Sequence, residues 1–247
     1  MAGTLLNVVA VVVGATAGVA LGDRLPEQVR RTVMDTLGLF TVVLGVANGL
    51  DAFGRPLAGA VGRAAVLVVL GSAVAGGLIG EALDLEGRLE GVGRRVRARV
   101  ARRRVAAGGR AGRVDDRFVE GFVAASLVFC VGPLTVLGAI RDGLRGDYGL
   151  LAIKSLLDGF ASLAFASALG AGVGFAALTV LVVQGGISLA AARLDPILTG
   201  PGLAAMNAVG GLLVLGIGLR LLDVRRVRVT NLLPGLVLAP LAVALWP

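Results

Sequence analysis

The chain has no histidine, one cysteine, one lysine, one tryptophan and one tyrosine among its 247 residues. Without histidine, the usual zinc and haem constellations have no ligands and imidazole acid–base catalysis has no agent. Cys130 stands alone, so no intrachain disulfide can form. Aromatic residues make up 4% of the chain, and none is interleaved with the arginines. A stacking platform for nucleic acid is therefore not expected. Charged residues make up only 16% of the chain. An average soluble domain carries about 25%. A water-soluble fold of this composition would have nowhere to hide its apolar surface.

Hydrophobic residues make up 56% of the chain, and the mean hydropathy is +0.89. Apolar runs long enough to cross a hydrocarbon layer of about 30 Å recur along the whole length. The reading is all-α, a polytopic membrane protein with eight spans at 4–22, 33–50, 61–80, 118–140, 150–170, 173–193, 203–222 and 230–246. Turn signals separate them, among them Leu25-Pro26, Gly54-Arg55-Pro56, Gly146-Asp147 and Asp195-Pro196. Three regions follow, with membrane spans in 1–83, an Arg-rich element with a flexible link in 84–114, and further spans in 115–247.

Basic residues set the orientation, because Lys and Arg are retained on the cytoplasmic side. The loops after spans 1, 3, 5 and 7 hold 18 of the 24 basic residues, eleven of them between Arg88 and Arg117. That side is assigned to the cytoplasm, which places both termini outside it, in a multi-pass membrane protein. The N-terminal residues Met1 to Thr4 lack the basic region of a signal peptide, so the first apolar run reads as a span.

Between spans 3 and 4, Leu85, Leu89, Val92, Val96 and Val100 recur at helical spacing among many arginines. This predicts a basic amphipathic helix on anionic headgroups of the bilayer, or a docking site for a cytoplasmic partner. Gly108 to Gly112 reads as the flexible link, and Asp115-Asp116 as a cap for span 4. Gly38 to Gly45 in span 2 resembles Gly211 to Gly218 in span 7. Five spans of offset would orient the two oppositely, as in an inverted repeat. The 39 glycines predict close helix packing, and their small-residue faces make a homodimer plausible.

Ionisable groups inside a span are costly and point to function. In span 5, Lys154, Ser155, Asp158 and Ser162 fall on one helical stripe. The lone lysine in a chain whose other 23 basic residues are arginine suggests a titrating cation, since arginine holds its proton. Span 4 carries Cys130, Gly132, Pro133 and Thr135, where proline removes a backbone hydrogen bond and can break the helix at membrane depth. Gln184, Asn7, Asn207 and Asn231 complete a candidate path for a monovalent cation or proton. Lys154 with Ser155 or Ser126 lacks an oxyanion feature, and no phosphate-binding glycine loop follows a strand. No enzyme activity, metal or cofactor is therefore expected.

Several stretches, taken together, carry a family likeness. They are Gly3-Thr4-Leu5-Leu6-Asn7, Phe129-Cys130, Gly138-Ala139-Ile140, Lys154-Ser155 two residues before Asp158, Gln184, Gly210-Gly211-Leu212-Leu213 and Asn231 with Leu233-Pro234. Over essentially its whole length the chain resembles the uncharacterised bacterial membrane family known as domain of unknown function 554 (YqgA-like). The resemblance implies a membrane protein of transporter-like topology, and it includes the Lys-Ser-x-x-Asp pattern. The Arg-rich stretch around 94–117 falls outside it. The expectation is a small-solute or ion secondary transporter or channel, the alternative being a membrane scaffold that acts through the Arg-rich loop.

Overall fold

The structure is a computed structural model that describes residues 1–22, 25–106, 117–131, 133–194, 198 and 200–246; of 30, 53, 100–106 and 133 only the backbone is described. Gly108 to Gly112, Asp115-Asp116, Gly132 and Asp195-Pro196 lie outside the described residues. Among those described, all regular structure is helical. The long elements are α1 (Ala2–Gly22), α2 (Glu27–Gly49), α4 (Ala65–Ala82), α5 (Leu85–Ala106), α8 (Gly149–Leu169), α9 (Gly172–Leu189) and α11 (Gly200–Leu221). Shorter ones are α3 (Arg55–Val61), α6 (Arg117–Cys130), α7 (Pro133–Arg145), α10 (Ala191–Leu194) and α12 (Leu233–Ala244). By length and composition five helical stretches can cross a membrane, or six when α6 and α7, bent by 61°, are taken as one. The run from Glu27 to Ala82 is a single stretch in that count, and α12 is shorter.

Glycine decides how the helices pair. A Cβ on Gly14, Gly18 or Gly22 would lie less than 3.0 Å from the carbonyl oxygen of Gly159, Leu163 or Ser167, respectively. Both sets advance by four residues, so α1 and α8 run parallel with their backbones in near contact. The bent α6–α7 pair also runs parallel to α9, since Gly172 sits on Phe118 and Gly143 on Ser188. By contrast, Gly45 faces Gly211 and Gly218 faces Gly38, which makes α2 and α11 antiparallel. These are the two segments whose sequences resemble each other, and the contact is reciprocal: the first glycine of each meets the last of the other. Gly80 against Asn231 and Gly76 against Gly235 set α4 antiparallel to α12. The glycine faces named here are thus occupied within the chain, whereas a Cβ on Gly59, Gly71 or Gly186 would meet nothing within 4 Å.

Among the described residues three apolar cores result, the smallest around Val136, Ile140 and Ala191 and two larger ones. One joins α1, α6, α8 and α9 through Val11, Phe129, Phe165 and Val180. The other joins α3, α4, α11 and α12 through Leu57, Val69, Leu213 and Ala239. The distribution of side chains is inverted relative to a soluble bundle. On α8, Lys154, Ser155, Asp158 and Ser162 are buried, whereas Ile153, Leu156, Leu157 and Phe160 are more than half exposed. Only an apolar surrounding makes that arrangement favourable.

The Arg-rich helix α5 packs on the bundle. Gly93 faces Val119 and Phe122 of α6, and Leu89 joins the first core. Its anchor is Glu86, which accepts hydrogen bonds from Arg220 Nη1 at 2.9 Å and the Thr230 N–H at 3.0 Å. Asn231 Oδ1 accepts the Glu86 N–H at 2.8 Å, so α5 is tied at its start to the approach to α12.

Candidate functional site

The break between α6 and α7 follows from Pro133. In an unbroken helix the Phe129 carbonyl would accept the N–H of residue 133, which proline lacks. Thr135 Oγ1 donates to that carbonyl instead, at 3.2 Å. Proline is also well suited to the first turn of α7, where its missing N–H costs nothing. The bend leaves Cys130, the last residue of α6, within electrostatic reach of Lys154 and Asp158.

Three helices then meet at one buried cluster. Lys154 Nζ and Asp158 Oδ2 form an ion pair across one turn of α8, their side chains only 7% and 11% exposed. Asn7 of α1 donates from Nδ2 to Asp158 Oδ2 at 2.9 Å and to Gln184 Oε1 of α9 at 3.0 Å. Gln184 Nε2 donates in turn to Thr4 Oγ1 at 3.3 Å. Thr4, Asn7 and Gln184 are fully buried, and Asn7 Oδ1 is left without a donor. Burying an ion pair among amides is expensive, and removing either partner leaves an uncompensated charge. The parallel α1–α8 contact makes the cluster possible, because glycine at 14, 18 and 22 lets the asparagine and the aspartate approach directly.

The cluster therefore unites Lys154, Asp158, Asn7 and Gln184, four residues singled out from sequence. Ser155 and Ser162 share the stripe but use their hydroxyls on backbone. Ser155 Oγ donates to the Leu151 carbonyl at 2.6 Å, and Ser162 Oγ donates to the Val11 carbonyl at 2.8 Å, tying α8 to α1. Thr135 mends the proline break, and Gly132 falls outside the described residues. Asn207 and Asn231 are engaged elsewhere. Asn207 Nδ2 donates to Asp51 Oδ2 at 3.2 Å, and Asn231 bridges Glu86 and Glu81.

Sequence reasoning missed Thr4 as a member of the cluster, although it precedes Asn7 by three residues and so shares its helical face. It also missed two buried acids. Asp142 of α7 accepts the Gly3 N–H at 3.2 Å. That bond satisfies a donor in the first turn of α1, where the helix itself offers no acceptor. Glu86 anchors α5 as described. No signal in the sequence distinguishes either from an ordinary loop acid.

A helical bundle with ionisable groups inside and leucine, valine and phenylalanine outside defines a membrane protein. The chain belongs to the family described as Protein of unknown function (DUF554), which matches residues 2–244. It is similar to "Uncharacterized protein YqgA" of Escherichia coli strain K12, 32% identical over 99% of this chain and 97% of that protein. It is also similar to "Uncharacterized membrane protein YdfK" of Bacillus subtilis strain 168, 28% identical over 98% of this chain and 96% of that protein. No solved structure matches.

Proposed function

We propose that this chain is an ion-coupled secondary transporter or channel of the bacterial inner membrane, with eight spans and both termini outside the cytoplasm. Its ion path runs beside α8, α1 and α9 and next to the broken α6–α7 span. Asp158 is the carboxylate that receives the ion, and Lys154 is the counter-charge that the ion displaces. The carrying observation is the buried Lys154–Asp158 pair tied to Asn7 and Gln184. Such a pair contributes little net stability that a hydrophobic replacement would not match. Ionisable groups inside a span mark conduction and coupling sites. The eight-span reading is supported by helix direction: spans 1 and 5 run parallel, as do 4 and 6, while 2 and 7, and 3 and 8, run antiparallel.

Reconstituted in liposomes, the wild-type chain should carry cation flux under an imposed gradient, and Asp158→Asn should abolish it. Unchanged flux in that variant would remove Asp158 from the path. A second reading, a scaffold that does not transport, draws on α5, which is anchored by Glu86 while Arg95 and Arg99 stay exposed. Deleting residues 94–113 separates the two, because a transporter keeps its flux and a scaffold loses its partner.

A further inference from the structure

We propose, resting on the transport reading above, that the ion taken up at Asp158 is a proton, and that its arrival reverses the hydrogen-bond direction of the Asn7–Gln184–Thr4 chain.

The donors around Asp158 carry the argument. Its Oδ2 already receives two, the Lys154 ammonium and the Asn7 amide N–H. A metal cation needs oxygen ligands on several sides, so it could bind that oxygen only after both nitrogens had withdrawn. A proton needs only the Asn7 amide to turn over, and Lys154 can stay. The proton adds to the carboxylate as one O–H bond, and the group becomes a donor.

The chain behind Asp158 has two self-consistent directions. With Asp158 ionised, N–H groups point towards the carboxylate: Asn7 Nδ2 donates to Asp158 and to Gln184 Oε1, and Gln184 Nε2 donates to Thr4 Oγ1. This arrangement leaves Asn7 Oδ1 buried with no donor. With Asp158 protonated, its O–H donates to Asn7 Oδ1 once that amide has turned over. Gln184 then turns as well, giving its N–H to Asn7 and accepting from the Thr4 hydroxyl, which serves as donor or acceptor. Asn7 Oδ1 gains two donors in the second state and Nδ2 takes over the position without a partner, so the two directions make the same number of bonds and the charge of Asp158 selects between them. The amides rotate and pass no proton through themselves; water supplies the proton, and Asp158 alone holds it. Neutralising Asp158 strips Lys154 of its counter-charge, which is the step that links uptake to movement.

The charged and titratable groups facing Asp158 are few. Lys154 lies on its own helix and Cys130 on α6. From α1 and α9 come only Asn7, Thr4 and Gln184, and Asp142 of α7 is turned to Gly3.

The test uses the full chain in lipid with two readouts. Liposomes in choline buffers are given a pH gradient alone, then a sodium or potassium gradient at equal pH. Infrared spectra of the same preparations are recorded across roughly pH 3 to 11, the range that brackets carboxyl and lysine titration. The expected result is flux that follows the pH gradient and ignores the two metals. A protonated-carboxyl band, lost in Asp158→Asn, should share its midpoint with changes in the amide side-chain bands. Gln184→Leu should move that midpoint by about one pH unit, the equivalent of one altered hydrogen bond. Flux driven by sodium or potassium and lost in Asp158→Asn would overturn the proton assignment and leave the transport reading standing. Absence of any wild-type flux would overturn the transport reading and this inference with it. A carboxyl band whose titration leaves the amide bands unmoved would overturn the reversing chain.

Discussion

Removing one member of the Lys154–Asp158 pair should harm the fold more than removing both. The two side chains are 7% and 11% exposed, so neither Lys154→Met nor Asp158→Asn exposes its stranded partner to water. Breaking a buried pair in this way costs about 3 kcal/mol or more, a shift of roughly a hundredfold in the folding equilibrium. The penalty has a ceiling of about 4 kcal/mol at pH 7, because a stranded group can shed its charge for about that much. The double variant Lys154→Met/Asp158→Asn leaves no charge behind. It should fall within about 1 kcal/mol of wild type, whereas independent losses would add to about 6 kcal/mol. Denaturant unfolding in mixed micelles, read by the fluorescence of Trp246, gives all four corners of the cycle. The sign with pH is also set. The Asp158→Asn penalty should shrink as pH rises, because a stranded lysine then gives up its proton more easily. The Lys154→Met penalty should shrink as pH falls, because a stranded aspartate then takes one up. Additive losses, or penalties flat from acid to alkaline pH, would refute the idea that the pair is desolvated and mutually dependent.

Three further perturbations discriminate among parts of the account. Gly80→Ala would drive a Cβ into the Asn231 carbonyl and should reduce folded yield sharply, whereas a Cβ on Gly71 of the same helix meets nothing within 4 Å. Gly71→Ala should therefore be neutral or stabilising by about 1 kcal/mol. Size-exclusion profiles and melting curves of the two variants compare them directly. Glu86→Ala removes the nearer partner of Arg220, leaving it Glu90 at 3.8 Å, and strands the Thr230 N–H. It should cost about 3 kcal/mol, the sum of a charged and a neutral partner lost. It should also speed tryptic cleavage within 85–106, and an unchanged cleavage rate would show that α5 is held by other contacts. Thr135→Val removes the hydroxyl that serves the Phe129 carbonyl, whereas Ser155→Ala loses only a bond within its own helix. In thermal unfolding the first should cost about 1 kcal/mol and the second less.

Much of the architecture was legible because lipid imposes simple rules. Apolar runs of sufficient length mark helices that can span, and the expected spans fall on helical stretches, 118–140 on the bent α6–α7 pair and 173–193 on α9 with α10, of which five or six are long and apolar enough to cross. The polar stripe of α8 was visible for the same reason, since 154, 155, 158 and 162 can share a face only in a helix. Partners across the bundle were less accessible. Asn7 and Gln184 stand 177 positions apart, and nothing local to either indicates that one amide donates to the other. The glycines announced close packing but not its partners, because a Gly-rich face fits a parallel neighbour at 14, 18 and 22 as well as an antiparallel one at 38 and 45. Thr135 read as a path residue because proline breaks the helix there, and only the structure shows its hydroxyl turned back to mend the break. The pattern of α5 suggested a basic amphipathic helix on anionic headgroups or a docking site for a partner. The structure adds a buried acid at its start, Glu86, which the composition of that segment conceals.

The central claim is that the buried carboxylate of α8 lies on an ion path, and its most direct test is flux through the reconstituted chain. Wild type, Asp158→Asn and Gly71→Ala should be compared at matched protein content under the same imposed gradient. The account predicts that wild type and Gly71→Ala conduct alike and that Asp158→Asn, inserted and folded, does not. Equal flux in all three would contradict it.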